Sequence, residues 1–143
     1  MTDNHENLLK DRDTIKQISI DNVKVLETRI CEVNGMKVLC LSGYIDAYSL
    51  PLFKEVMTQM LDEVENDLII DMRDVTYMDS SGFGVLITAI KRLIPKAGTI
   101  NLTGCSSAIS RLMHVTHLDT IISLHRNIDD AIKAISQTAN RLS

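Results

Sequence analysis

The residues best suited to chemistry in this chain lie together in the segment Tyr77-Met78-Asp79-Ser80-Ser81-Gly82-Phe83-Gly84. An acid stands next to two hydroxyls and two glycines, where an apolar run gives way to a helical pattern. One reading is capping: Asp79 or Ser80 is a good N-cap, worth typically about 1 kcal/mol. Capping needs neither glycine, and Gly82 and Gly84 in a first helical turn each cost roughly 1 kcal/mol relative to alanine. Both are expected there, exposed, with something approaching the backbone closely. The other reading is a switch. A helix start with free N–H groups tolerates an added anion, so a phosphate on Ser80 would leave the fold standing. It would add about −1.5 to −2 charges beside Asp79 and change any interface built there.

Other reactive sets are weaker. His114 and His117 form an HxxH pair with His125 near in sequence, but no cysteine or carboxylate completes a metal set, and they read as surface or partly buried histidines. Ser80 and Ser81 precede their glycines, whereas a serine hydrolase needs its nucleophile within Gly-x-Ser-x-Gly. No phosphate-binding Gly-x-x-x-x-Gly-Lys loop is present. Cys31, Cys40 and Cys105 are odd in number without CxxC spacing, so they read as reduced core thiols. Net charge −4 and 3% aromatic residues argue against nucleic acid. No stretch approaches the roughly 18 apolar residues of a membrane span, and Met1 to Lys10 lacks the body of a secretory signal. The expectation is a cytoplasmic, non-enzymatic protein of 143 residues with no cofactor and a protein partner.

The elements that must position this segment follow from periodicity. Residues 1–21 read as a polar tail or extension and 22–143 as one domain. Val23 to Val33 and Met36 to Leu41 flank Asn34-Gly35, a strong hairpin signal. Phe53, Val56, Met57, Met60, Leu61 and Val64 recur at helical spacing, with Ser49 as N-cap and Pro51 in the first turn. Leu68, Ile69 and Ile70 form a short buried strand. Phe83, Leu86, Ile87, Ile90, Leu93 and Ile94 stripe the next helix, which Pro95 to Gly98 ends. A strand over Thr99–Thr103, a helix from Ser106 to Val115, a strand over Thr120–Leu124 and a last helix capped by Asn127 complete the plan. The fold class is therefore α/β: an N-terminal β-hairpin, then alternating strands and helices in a mostly parallel sheet. Met57, Met60, Met72 and Met113 read as core fillers, with Met78, next to the switch, the candidate exception.

With these motifs placed, the chain resembles the STAS-domain anti-sigma factor antagonists from about Val23 to Ile135. The resemblance rests on Leu41-Ser42-Gly43-Tyr44-Ile45-Asp46, on Leu68 to Asp74 with Tyr77 to Gly84, and on Ser110-Arg111-Leu112 before His117-Leu118. It implies that Ser80 is phosphorylated by a partner that is both anti-sigma factor and serine kinase. It also implies that the unphosphorylated form binds that partner to release a sigma factor, and that a serine phosphatase restores it. Asp46, Tyr48, Ser49, Asp79, Ser80, Ser81, Gly82 and Phe83 would form the partner surface, and Asp46→Ala is expected to weaken binding with little loss of stability. Tyr44 departs from the family, which usually has an acid after the loop glycine. STAS-like domains also serve as scaffold subunits of stress-sensing complexes and as transporter accessories, the alternative role.

Overall fold

The computed structural model describes residues 15–142. Six strands make one sheet in sequential order: β1 (Ile15–Ile20), β2 (Val23–Val33), β3 (Met36–Ile45), β4 (Asp67–Met78), β5 (Thr99–Thr103) and β6 (Ser123–His125). Four helices join them among the described residues: α1 (Leu50–Glu63), α2 (Ser80–Leu93), α3 (Ser107–Val115) and α4 (Ile128–Leu142). β1, β2 and β3 pair antiparallel, and β3 through β6 pair parallel, as the α/β reading expects. Asn34 and Gly35 both take positive φ, the backbone a two-residue hairpin needs. The sheet begins inside the stretch read as tail. Asp21 and Asn22, both also at positive φ, turn Ile15–Ile20 back as an edge strand, while residues 1–14 lie outside the described residues.

Two layers of helix cover the sheet. On one face α1, α2 and α3 bury Phe53, Met60, Leu86, Leu93 and Met113 against Leu39, Leu68, Ile70 and Leu102. On the other, α4 sets Ala131 against Val38 and Ile69, with Ile128, Ile132 and Ile135 partly buried around them. The five methionines are all within the core. The buried face of the second helix and the last strand also differ from expectation. In α2 the buried face is Gly82, Val85, Leu86, Ala89, Ile90 and Leu93, leaving Ile87 and Ile94 exposed, because the helix rests on α1 as well as the sheet. The last strand is short and later, Ser123–His125, because a 3-10 turn over Leu118–Thr120 occupies its expected start.

β4 is the element that matters for the site. It runs twelve residues, well past Leu68 to Ile70, with register irregularities against β3 between Cys40 and Ser42 and between Gly43 and Tyr44. Those irregularities scramble the alternation of side chains, so the second half carries no period-2 signal. The pairing nevertheless continues to Tyr44 with Tyr77 and Ile45 with Met78. The two strands therefore end together.

His125 on β6 holds its Nε2 2.9 Å from the Asn101 side-chain oxygen. Burial lowers its pKa, with Asp130 pulling weakly the other way. Because the folded value is depressed, the unfolded chain takes up the proton first, so acid favours unfolding. Glu63, lowered chiefly by its hydrogen bond from Lys37, loses its contribution further into acid. Between about pH 7 and pH 5 the urea midpoint should fall, and His125→Gln, which keeps a donor for Asn101, should flatten that slope. Parallel slopes for the two proteins would remove His125 from the acid response.

Candidate functional site

The site forms where β3 and β4 deliver their last residues side by side. Ile45 and Met78 are register partners, so Asp46 and Asp79 follow on adjacent strand ends. The Asp79 N–H donates to the Ile45 carbonyl at 3.1 Å, tying the two ends together. Each carboxylate is committed to the backbone that follows it. Asp46 accepts from the N–H groups of Tyr48 and Ser49, both at 3.0 Å, closing a tight loop before α1. Asp79 caps α2, accepting from the Ser81 N–H at 2.9 Å and from the Ser81 hydroxyl.

This capping separates the two serines. Ser81 is half-buried with its hydroxyl held by Asp79, whereas Ser80 is exposed at the first position of α2. No hydrogen bond of the Ser80 hydroxyl is found among the described residues. A hydroxyl so placed is open to a second protein and to group transfer.

The glycines divide as well. Gly84 is exposed, and an added Cβ there would meet nothing within 4 Å. Gly82 is buried, which corrects the expectation that it lies open: a Cβ would sit 2.7 Å from Met78 Cγ and 2.9 Å from Ile45 Cγ2. The close approach to its backbone comes from the chain's own strand ends. Ser49 is corrected too. It stands at the N-cap of α1 without making a side-chain cap bond. Its hydroxyl instead donates to the Tyr44 carbonyl at 2.7 Å and accepts from the Asp46 N–H at 3.0 Å, and the residue is fully buried. Ser49 and Gly82 therefore shape the surface without offering any to a partner. Tyr48 and Ser80 are exposed, while Asp46, Asp79, Ser81 and Phe83 are half-buried, Phe83 packing against the core.

Sequence reasoning missed two features here. All three tyrosines of the chain, Tyr44, Tyr48 and Tyr77, are about half exposed and belong to these strand ends and their loop. Tyr44 and Tyr77 are register partners, and Tyr48 donates its hydroxyl to the Ser19 carbonyl of β1 at 3.0 Å. The second feature is a cleft of about 460 Å³ between α1 and α2, reached past Ser81 and Gly84 and bordered by Lys54, Thr88 and Arg92. Helix spacing of Ser81, Gly84, Thr88 and Arg92 on one face was the available signal. The histidines are scattered: His114 is exposed beside Asp119 at 3.0 Å, His117 is exposed in a left-handed turn, and His125 lies on β6.

The loop geometry revises the expectation for Asp46→Ala. The change should weaken docking but also cost about 1 kcal/mol, since two backbone donors lose their acceptor. A urea midpoint equal to that of the parent would show that the loop closes without the carboxylate.

A family model described as STAS domain matches residues 27–131. The chain is similar to the anti-sigma-B factor antagonist of Bacillus subtilis (strain 168), 31% identical over 93 residues, or 65% of this chain and 84% of that one. It is 28% identical over 89 residues to the anti-sigma-B factor antagonist of Staphylococcus aureus (strain NCTC 8325 / PS 47), covering 62% of this chain and 82% of the relative. Its fold is similar to the crystal structure of an anti-sigma factor antagonist from Mycobacterium paratuberculosis, with TM-score 0.72, 24% identity, and coverage of 83% of this chain and 99% of that one.

Proposed function

This chain belongs to the STAS domain family, and from that premise we propose that it is an anti-sigma factor antagonist switched at Ser80. Its unphosphorylated form binds an anti-sigma factor that is also a serine kinase, and so frees a sigma factor. Transfer of a phosphoryl group to the Ser80 hydroxyl ends that binding, and a serine phosphatase restores it. The protein itself carries out no catalysis in this cycle and works in the cytoplasm. No helix among the described residues is long and apolar enough to cross a membrane.

The observation that carries this reading is the difference between neighbouring hydroxyls: Ser80 is exposed and free for transfer, while Ser81 is half-buried and committed to Asp79. The helix start then holds the modified residue without unfolding, because its N–H groups and dipole favour an anion. The surface around it gains charge where Asp79 already lies. A pull-down from native lysate, followed by mass spectrometry of both partner and phosphosite, tests the whole reading. It should return a serine-kinase anti-sigma factor and a phosphate on Ser80. Label on Ser81 would move the switch by one residue, and a permease or a large sensor assembly in place of the kinase would replace this function with the scaffold role.

A further inference from the structure

On the sheet face away from α1 and α2, two thiols meet across neighbouring strands. Cys31 of β2 and Cys40 of β3 hold their Sγ atoms 3.6 Å apart. Cys31 is the register partner of Val38, so Cys40 lies two residues further along the same face. Both are half-buried, and both line an open depression of about 330 Å³ that also holds Arg29, Arg73, Asp71 and Asp74. A small solute therefore reaches them without opening the fold.

We propose that Cys31 and Cys40 form a reversible disulfide, a thiol modification site whose oxidant is a low-molecular-weight disulfide of the glutathione class. The chemistry proceeds by two exchanges. The Cys31 thiolate attacks one sulfur of the oxidant, forming a mixed disulfide and expelling one small thiolate. Cys40 then gives up its proton and attacks Cys31 Sγ, which breaks the mixed bond and expels the second small thiolate. Two electrons pass from the protein to the oxidant, and the two thiol protons end on the two released small thiols.

The order of attack follows from the surroundings. Burial, and then the charge of Cys31, push the Cys40 thiol up to about 12, so it is the poorer first nucleophile. Once Cys31 is capped as a mixed disulfide it carries no negative charge, and that part of the obstacle is gone. The diagonal placement also sets the character of the bond. Diagonal neighbours have Cα atoms about 7–8 Å apart, beyond the usual span of a disulfide, so closing it requires the strands to shift. A bond made under strain is readily reduced, as a reversible modification requires and a structural cross-link does not. The register irregularity just after Cys40 gives β3 room for that shift.

The test exposes the purified full chain to oxidised glutathione at mildly alkaline pH, followed by intact-mass measurement and peptide mapping. The parent should lose two hydrogens and yield a peptide linking Cys31 to Cys40, and dithiothreitol should reverse both. Cys40→Ser should stop at a glutathione adduct on Cys31, whereas Cys31→Ser should react at Cys40 at least about tenfold more slowly. Parent protein that carries only separate glutathione adducts would overturn the disulfide. Equal rates for the two serine variants would overturn the order of attack.

Discussion

On the proposed switch, the Ser80→Asp protein is expected to bind the proposed kinase-type partner roughly two to four decades more weakly than the parent, while melting at nearly the same temperature. A serine hydroxyl at the centre of an interface is desolvated cheaply, but an unpaired charge buried there costs about 3–5 kcal/mol. Ser80 is exposed and adjoins the carboxylate of Asp79, so a second negative group there gains no counter-charge from its neighbour. A carboxylate carries less charge than a phosphate, which places the Asp variant below the phosphorylated protein in effect. Ser80→Ala should stay in the binding state, since nothing in the fold depends on the hydroxyl. Calorimetric titration with the partner and a thermal melt read the two quantities separately. Undiminished binding by Ser80→Asp would refute the switch, and a large fall in melting temperature would make it an unfolding effect instead.

Gly43→Ala is expected to cost about 3–5 kcal/mol, the largest stability loss of any single methyl group added near the site. Gly43 has φ +117°, and an added Cβ would lie 2.2 Å from the Val25 carbonyl oxygen and 3.4 Å from Leu26 Cα. Both are backbone atoms, which cannot swing aside as the end of a flexible side chain can. Leu26 is the register partner of Gly43 and is fully buried, and β4 holds β3 from the other side. At a urea slope of about 1–3 kcal/mol per molar, the midpoint should drop by more than about 1 M. Gly35→Ala isolates the cause, because Gly35 also has positive φ, +81°, yet faces open space. It should lose only about 1 kcal/mol, the backbone strain alone. Similar losses at the two glycines would mean that the contact with Val25 relaxes after all.

The local signals that proved sufficient were those in which chemistry and period agree. Asn34-Gly35 can adopt the left-handed turn that a hairpin demands, and α1 shows its apolar stripe undisturbed, so both were legible. The fold class follows from their alternation. The site was legible as a segment, through Asp79 and the serine next to it, but not as a surface. Which glycine is open depends on Met78 and Ile45 packing beneath Gly82, and that contact joins residues far apart in sequence. Ser49 reads as a cap because serine usually caps, yet its hydroxyl is engaged elsewhere, donating to the Tyr44 carbonyl and accepting from the Asp46 N–H. The tail strand was legible through Ile15, Ile18 and Ile20 only as a short element of undecided type, because its turn, Asp21-Asn22, lacks the glycine that marks a hairpin.

The placement of the tyrosines gives the molecule its own optical probe. The chain has no tryptophan, and its three tyrosines all stand around the strand ends that lead to Ser80. Tyrosine emission from the isolated protein therefore arises from this one region. Quenching or energy transfer on mixing with a partner reports occupancy of that region directly, without any dye or engineered label.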